Sequence, residues 1–181
     1  MKEKVKISID LMGGENSPNK TLEGINFFIK RNKKLDDYFF YLFGDKSIVD
    51  EKIKKISISK KNYELIDTKI IVSDDLSALS AIKKGKGSSM WNSIDSQNSL
   101  NADISLSAGN TGVLLVMSKI ILKTLEGVDK PALAGLWPNK KNMNVVLDLG
   151  ANVECSEKNL VDFSEMGSAL YQSLYPNEKA K

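Results

Sequence analysis

Strand-like and helix-like segments alternate along this chain, which predicts an α/β fold with a mostly parallel sheet covered by helices on both faces. Two further observations agree. Tyr38 to Phe43 is a short unbroken apolar run, as in a strand buried on both faces. Val113 to Leu125 is apolar nearly all round, which predicts a helix buried here or against a partner.

The elements follow in order. Lys4 to Asp10 alternates polar residues with Val5, Ile7 and Ile9, the pattern of a half-buried strand. Ser17-Pro18 opens a helix with Leu22, Ile25, Phe28 and Ile29 at helical spacing. The run from Tyr38 ends at Gly44, and Asp45 is placed to cap a lysine-rich helix. Tyr63–Ile66 and Lys69–Val72 are weaker strands. The glycine- and serine-rich break at 85–89 leads into a helix over Met90–Leu100. Ile104–Leu106 is a strand, followed by the Val113–Leu125 helix. Ala132–Trp137 and Asn144–Leu149 are two more strands. Glu157–Leu174 is the last helix, with Leu160, Phe163, Met166 and Leu170 on one face. No repeat, low-complexity linker or domain boundary is visible, so residues 1–181 read as a single α/β domain.

Composition narrows the chemistry. The 181 residues are 41% apolar and 27% charged, a globular balance. No apolar run reaches the ~18–20 residues of a membrane span, and MKEKVKISID is not a signal peptide, so a cytoplasmic protein is expected. Cys155 is the single cysteine and there is no histidine. The commonest general base and metal ligand are therefore absent from the sequence, and neither a metal nor a cofactor is expected. A nucleophilic Cys155 would lack a histidine to activate it. The net charge of +3 comes from lysines, as in Lys52-Ile53-Lys54-Lys55 and Lys60-Lys61. They read either as a solvated helix face or as a landing patch for an acidic partner or anionic membrane. Aromatic residues are not interleaved with them, so nucleic acid is not expected.

In open parallel sheets, ligands bind outside the carboxyl ends of the strands. Three predicted strands end in small, polar stretches: Asp10-Leu11-Met12-Gly13-Gly14-Glu15-Asn16, Ser107-Ala108-Gly109-Asn110-Thr111-Gly112, and Asp148-Leu149-Gly150-Ala151-Asn152. In the second, glycines allow close backbone approach, and free amides at the helix start attract an anion. Ser107, Asn110 and Thr111 add uncharged hydrogen-bonding groups. Phosphate is the natural guest, and a structural cap is the alternative. Asp10 and Asp148 either cap turns or orient a substrate. Ser88 and Ser89 either cap a helix or add to an anion site. Trp91 and Trp137 read as packing residues. Neither a Walker A motif nor a GxGxxG is present.

The segments IDLMGGENSP (9–18), SAGNTG (107–112), GVDKPALAGLWP (127–138) and LDLGANVECSEKNLVDFSEMGSALY (147–171) resemble the phosphate acyltransferase family of bacterial phospholipid synthesis, PlsX. Residues 72–91, with SSM at 88–90, resemble a further family segment. The resemblance implies a Rossmann-like three-layer α/β/α sandwich similar to phosphotransacetylases. It implies transfer of a fatty acyl group from acyl carrier protein to inorganic phosphate, giving an acyl phosphate. A homodimer, peripheral membrane association and a membrane acyltransferase partner are implied as well. Asn110, Thr111 and Asp148 become candidate catalytic residues. Asp10, Gly13, Gly14, Asn16, Ser88, Ser89, Ser107, Gly109, Gly112 and Asn152 become candidate phosphate- or substrate-binding residues.

The sequence departs from the family at Leu11 for Ala, Glu15 for Asp and Lys130 for Arg, the last losing a bidentate fork. Members are close to twice as long, so an incomplete fold is expected, with part of the site elsewhere. The alternatives are a truncated, non-catalytic fragment that binds an anion or partner, and a phosphotransacetylase-like enzyme acting on acyl-CoA.

Overall fold

The alternating Val5–Asp10 forms strand β1, and the apolar Tyr38–Gly44 forms β2 beside it. They run parallel, from Val5 opposite Tyr38 to Asp10 opposite Phe43. β3 (Tyr63–Asp67) and β4 (Ile104–Leu106) extend the parallel sheet, in the order β3-β2-β1-β4. This computed structural model describes residues 3–73, 78–140 and 142–180. Residues 74–77 of the family-like segment 72–91 lie outside them. The chain divides into two compact units, the first ending at Leu122 and the second beginning at Lys123.

In the first unit, helices α1 (Asn19–Arg31) and α2 (Lys46–Ile53) cover one face of the sheet. Leu22, Ile25 and Ile29 of α1 and Val49 and Ile53 of α2 pack against Ile9, Leu11, Phe40 and Leu42. Asp45 caps α2, its carboxylate accepting the Ser47 amide at 2.9 Å. After α3 (Ala78–Lys84), α4 (Ser89–Ser99) covers the opposite face. There the hydroxyls of Ser8 and Ser105 both donate to the Ser93 carbonyl, at 2.8 and 2.6 Å. Small side chains let α4 approach closely, and each buried hydroxyl keeps a partner. α5 (Thr111–Leu122) packs on α4 through Val113 and Met117, against Met90 and Ile94. The expected α/β sandwich, with a mostly parallel sheet, is present.

The second unit holds β5 (Ala134–Pro138), β6 (Met143–Leu147) and α6 (Glu157–Leu174). β5 and β6 pair antiparallel in a sheet of their own rather than joining a parallel one. The four residues 139–142 between them suffice for a hairpin, whereas a parallel crossover needs a dozen or more. α6 buries Phe163 and half-buries Met166 and Leu170, but Leu160 is exposed. Ser156 and Asn159 close its first turn as a reciprocal capping box.

Three further expectations change. Lys69–Val72 forms a single bridge, Ile70 to Ser88, instead of a strand; Ile70 and Ile71 have no sheet face to cover. The helix after Thr111 ends at Leu122, where Lys123 turns left-handed at φ 65°. It buries Val113 and Met117, while Ile120 and Leu122 stay exposed, so its apolar surface is wider than the face the chain covers. Trp91 packs beside Met90, but Trp137 is exposed.

Leu11 follows β1 directly and is 0% exposed, and its amide donates to the Phe43 carbonyl at 2.9 Å. The leucine that stands in place of the family's alanine is therefore a core residue. Leu11→Ala is expected to lower stability by about 3 kcal/mol through the cavity it leaves, measured as a shifted midpoint in urea.

Candidate functional site

Asp10 ends β1 with its side chain 1% exposed, so the carboxylate depends on donors from the protein. Oδ1 accepts the amides of Met12 (3.0 Å) and Gly13 (3.2 Å), and Oδ2 accepts the Ser107 hydroxyl at 2.7 Å. Having donated its proton, Ser107 Oγ accepts the Gly109 amide at 3.1 Å. One hydrogen-bond chain thus ties the loop after β1 to the loop after β4.

The glycines are required by this closeness. A Cβ on Gly13 would fall under 3.0 Å from Asp10 Oδ2, Ser107 Oγ and the Gly109 nitrogen. Gly14 sits at φ +86° against the Ala108 carbonyl. The methyl group of Met90 lies under Gly109, so α4 supports the second loop from behind.

The second loop runs straight into α5. Asn110 caps it, with Oδ1 accepting the Val113 amide at 3.0 Å and the carbonyl accepting Leu114 at 2.9 Å. Among the described residues, no hydrogen bond engages the amides of Thr111 or Gly112, and both residues are exposed. They are the orphan donors of a helix N-terminus, where the dipole favours an anion.

The structure therefore gathers Asp10, Gly13, Gly14, Ser107, Gly109, Asn110, Thr111 and Gly112 of the first unit into one cluster. Asn16 is exposed, at φ 57°, and its carbonyl accepts the first amides of α1 from Asn19 and Lys20. Ser88 is a helix cap: its Oγ accepts the Trp91 amide at 3.1 Å. Ser89 gives its amide to Ile70 at 3.1 Å, and both serines are buried. Ala108 and Met90 were missed by sequence reasoning. Their only signal is position, inside one motif and directly after another.

Asp148 and Asn152 belong to the second unit. Asp148 turns left-handed at φ 56°, and its Oδ1 accepts the backbone amide of Asn152 at 3.1 Å and its side-chain amide at 2.9 Å. The Asn152 side chain also donates to the Pro131 carbonyl at 3.0 Å. These bonds, from the Asn152 side chain above all, hold the Asp148 carboxyl below the ordinary range, with help from Lys130. The Cys155 thiol lies 3.4 Å from Asp148 Oδ2 and is pushed up, first by desolvation and then by that carboxylate. A thiol held protonated is a poor nucleophile. Among the described residues, no three His, Cys, Asp or Glu side chains group to hold a metal.

A family model described as "Fatty acid synthesis protein" matches residues 5–181. The chain belongs to that family. It is 52% identical over its whole length to a phosphate acyltransferase of Pelagibacter ubique, covering 53% of that protein. It is 37% identical over 97% of its length to the phosphate acyltransferase of Rhizobium meliloti, covering 50% of that one. The chain thus spans about half the length of these relatives. In fold it is similar to the EutD phosphotransacetylase from Staphylococcus aureus, with a TM-score of 0.60 over 94% of this chain and 53% of that one, at 18% identity. The resemblance read from the motifs and the phosphotransacetylase-like fold both hold.

Ser107→Ala breaks the chain between the two loops. It is expected to cost about 1–2 kcal/mol, since Asp10 loses a donor and Gly109 its acceptor, and to speed hydrogen exchange at the Gly109 amide. In the second unit, a carboxyl with a lowered value stabilises its loop above the unfolded-state pKa and loses that contribution as pH falls through the native value. Asn152→Ala is expected to move the Asp148 titration up toward the ordinary carboxylate range, followed by NMR.

Proposed function

We propose that this chain carries the N-terminal half of an enzyme that transfers a fatty acyl group from acyl carrier protein to inorganic phosphate. The observation that carries the reading is the pair of exposed amides of Thr111 and Gly112 at the mouth of α5, which no hydrogen bond engages among the described residues. The names of the relatives give the reaction class. A phosphate oxygen attacks the thioester carbonyl carbon. The tetrahedral intermediate then collapses, the C–S bond breaks, and the thiolate leaves to take a proton from solvent.

This chemistry suits a chain without histidine. Phosphate is itself the nucleophile, so no serine or cysteine need be acylated. The leaving thiol has a pKa of about 8.5 and needs no strong general acid. What remains is holding a dianion in place and stabilising an oxyanion. Thr111 and Gly112 supply preorganised donors, Asn110 fixes the helix start, and Asp10 with Ser107 positions the loop without touching the anion. Dimerisation, association with a membrane surface and delivery of the product to a membrane acyltransferase belong to the same proposal.

The coverage of about half the relatives favours a second reading, in which this chain binds phosphate without turnover. One assay separates the two. Long-chain acyl carrier protein and phosphate are incubated with the protein, and acyl phosphate is trapped with hydroxylamine. Phosphate-dependent hydroxamate supports transfer. Its absence, with phosphate binding retained in calorimetry, supports the second reading, and absence of both overturns the proposal. Thr111→Pro is the sharpest variant, because proline suits the first helical position and removes the amide donor, with Thr111→Val as the control for the hydroxyl that is lost with it. It is expected to weaken phosphate binding by roughly tenfold or more, the worth of one charge-assisted hydrogen bond.

A further inference from the structure

An apolar groove of about 420 Å³ lies between α1 and the sheet in the first unit. Its floor is Ile9, Ile25 and Phe40, all buried, and Phe28 and Leu106 form its sides. Its polar end is formed by Asp10, Ser107 and Ala108, the loop residues of the anion site. Such a volume is within the range of small-molecule sites, about 300–1,000 Å³.

Gly24 gives an independent sign that the groove is kept open. It stands inside α1, where glycine costs roughly 0.5–1 kcal/mol relative to alanine. A Cβ built there meets nothing within 4 Å. No turn, close approach or left-handed backbone in the fold calls for a glycine at this place. It lines the groove, and any larger residue would project into it. Leu106, on the opposite side, is 46% exposed although it lies next to the buried Ile9 in the sheet.

We propose that this groove holds the acyl chain of the substrate, with its carbonyl end at the loops after β1 and β4. The inference rests on the acyl-phosphate reading and extends it by locating the tail. Apart from Asp10 at the polar end, whose carboxylate is satisfied by its own loop and Ser107, and Lys20 at the rim, the walls carry no charge. Lys20 at the rim is ion-paired with Glu15 at 3.5 Å, and Thr21 beside it is neutral. An extended hydrocarbon tail fits an apolar groove floored by buried side chains and bounded at one end by hydrogen-bonding loops.

Alkyl phosphonates carry head and tail in one stable probe. Binding of methylphosphonate and dodecyl phosphonate, the latter below its micelle concentration, is compared by calorimetry. The natural chain is expected to bind the dodecyl compound more than roughly tenfold tighter, a gain that burial of two methylenes already supplies. Gly24→Leu fills the groove while favouring the helix, and is expected to bring the ratio close to one in a protein with unchanged circular dichroism. Leu106→Asn, at an exposed position, is expected to reduce the ratio as well. A ratio near one in the natural chain, or a ratio untouched by Gly24→Leu, overturns the proposal. The anion reading is scored separately by Thr111→Pro, which should weaken both phosphonates. A tail-length ratio that survives while Thr111→Pro changes nothing refutes the anion site and leaves the groove. Head-group binding sensitive to Thr111→Pro, without any ratio, refutes the groove and leaves the anion site.

Discussion

The buried carboxylate of Asp10 is the constraint on which the candidate site of the first unit depends. A charge without solvent costs several kcal/mol unless donors surround it, and here three protein donors converge on two oxygens. Two come from its own loop and one from a residue 97 positions later. The loops are therefore held together by a requirement to satisfy a charge, rather than by apolar packing. β4 has only three residues in the ladder, and the bond from Ser107 to Asp10 extends its attachment by one step. Glycine at 13 follows from the same geometry, because the carboxylate, hydroxyl and amide occupy the space a Cβ would take.

That arrangement explains why α5 can present its amides at a fixed place. The helix is anchored behind by Val113 and Met117 on α4 and in front by a loop whose hydroxyl and carboxylate are mutually saturated. On the proposed acyl-transfer reading, donors fixed before the substrate arrives would need no reorganisation during reaction, which is where electrostatic stabilisation gains most of its effect. Asp10 reaches Gly109 through Ser107, so on the proposed reading its influence on an anion is one of position. A second negative charge in direct contact with phosphate would oppose binding, and the hydrogen-bond chain turns the carboxylate away from that role.

Much of this was legible in the sequence. Period-two alternation found β1, the apolar run found β2, and the coincidence of small polar strand ends found both loops and the start of α5. The purpose of each residue was less legible. Asp10 and Ser107 each read as either a structural cap or a ligand group, because a sequence does not show that their partners are each other. Ser88 read as a helix cap before a ligand, and the Trp91 amide that it accepts shows the cap. The antiparallel β5–β6 pair was hidden by strand patterns that look alike in both senses, although a connection too short for a parallel crossover carried the answer. The groove at Gly24 left no periodic signal, since a mid-helix glycine reads only as a weak helix position.

The two ends of the site share one cause, the register of β4 on β1. Ile7 lies opposite Ile104, Ser8 opposite Ser105 and Ile9 opposite Leu106, so the next step sets Asp10 against Ser107. Side chains alternate between faces along a strand. Ser8, Asp10, Ser105 and Ser107 therefore share the α4 side, where Ser8 and Ser105 donate to the Ser93 carbonyl and Ser107 donates to the Asp10 carboxylate. Ile7, Ile9 and Leu106 share the α1 side and line the groove. A slip of one residue would send Ser107 to the apolar face and leave a buried carboxylate short of a donor. The Asp10–Ser107 bond thus locks the register of a strand too short to lock itself. By locking it, the bond sets polar groups at the mouth of α5 and apolar ones along α1 in a single step.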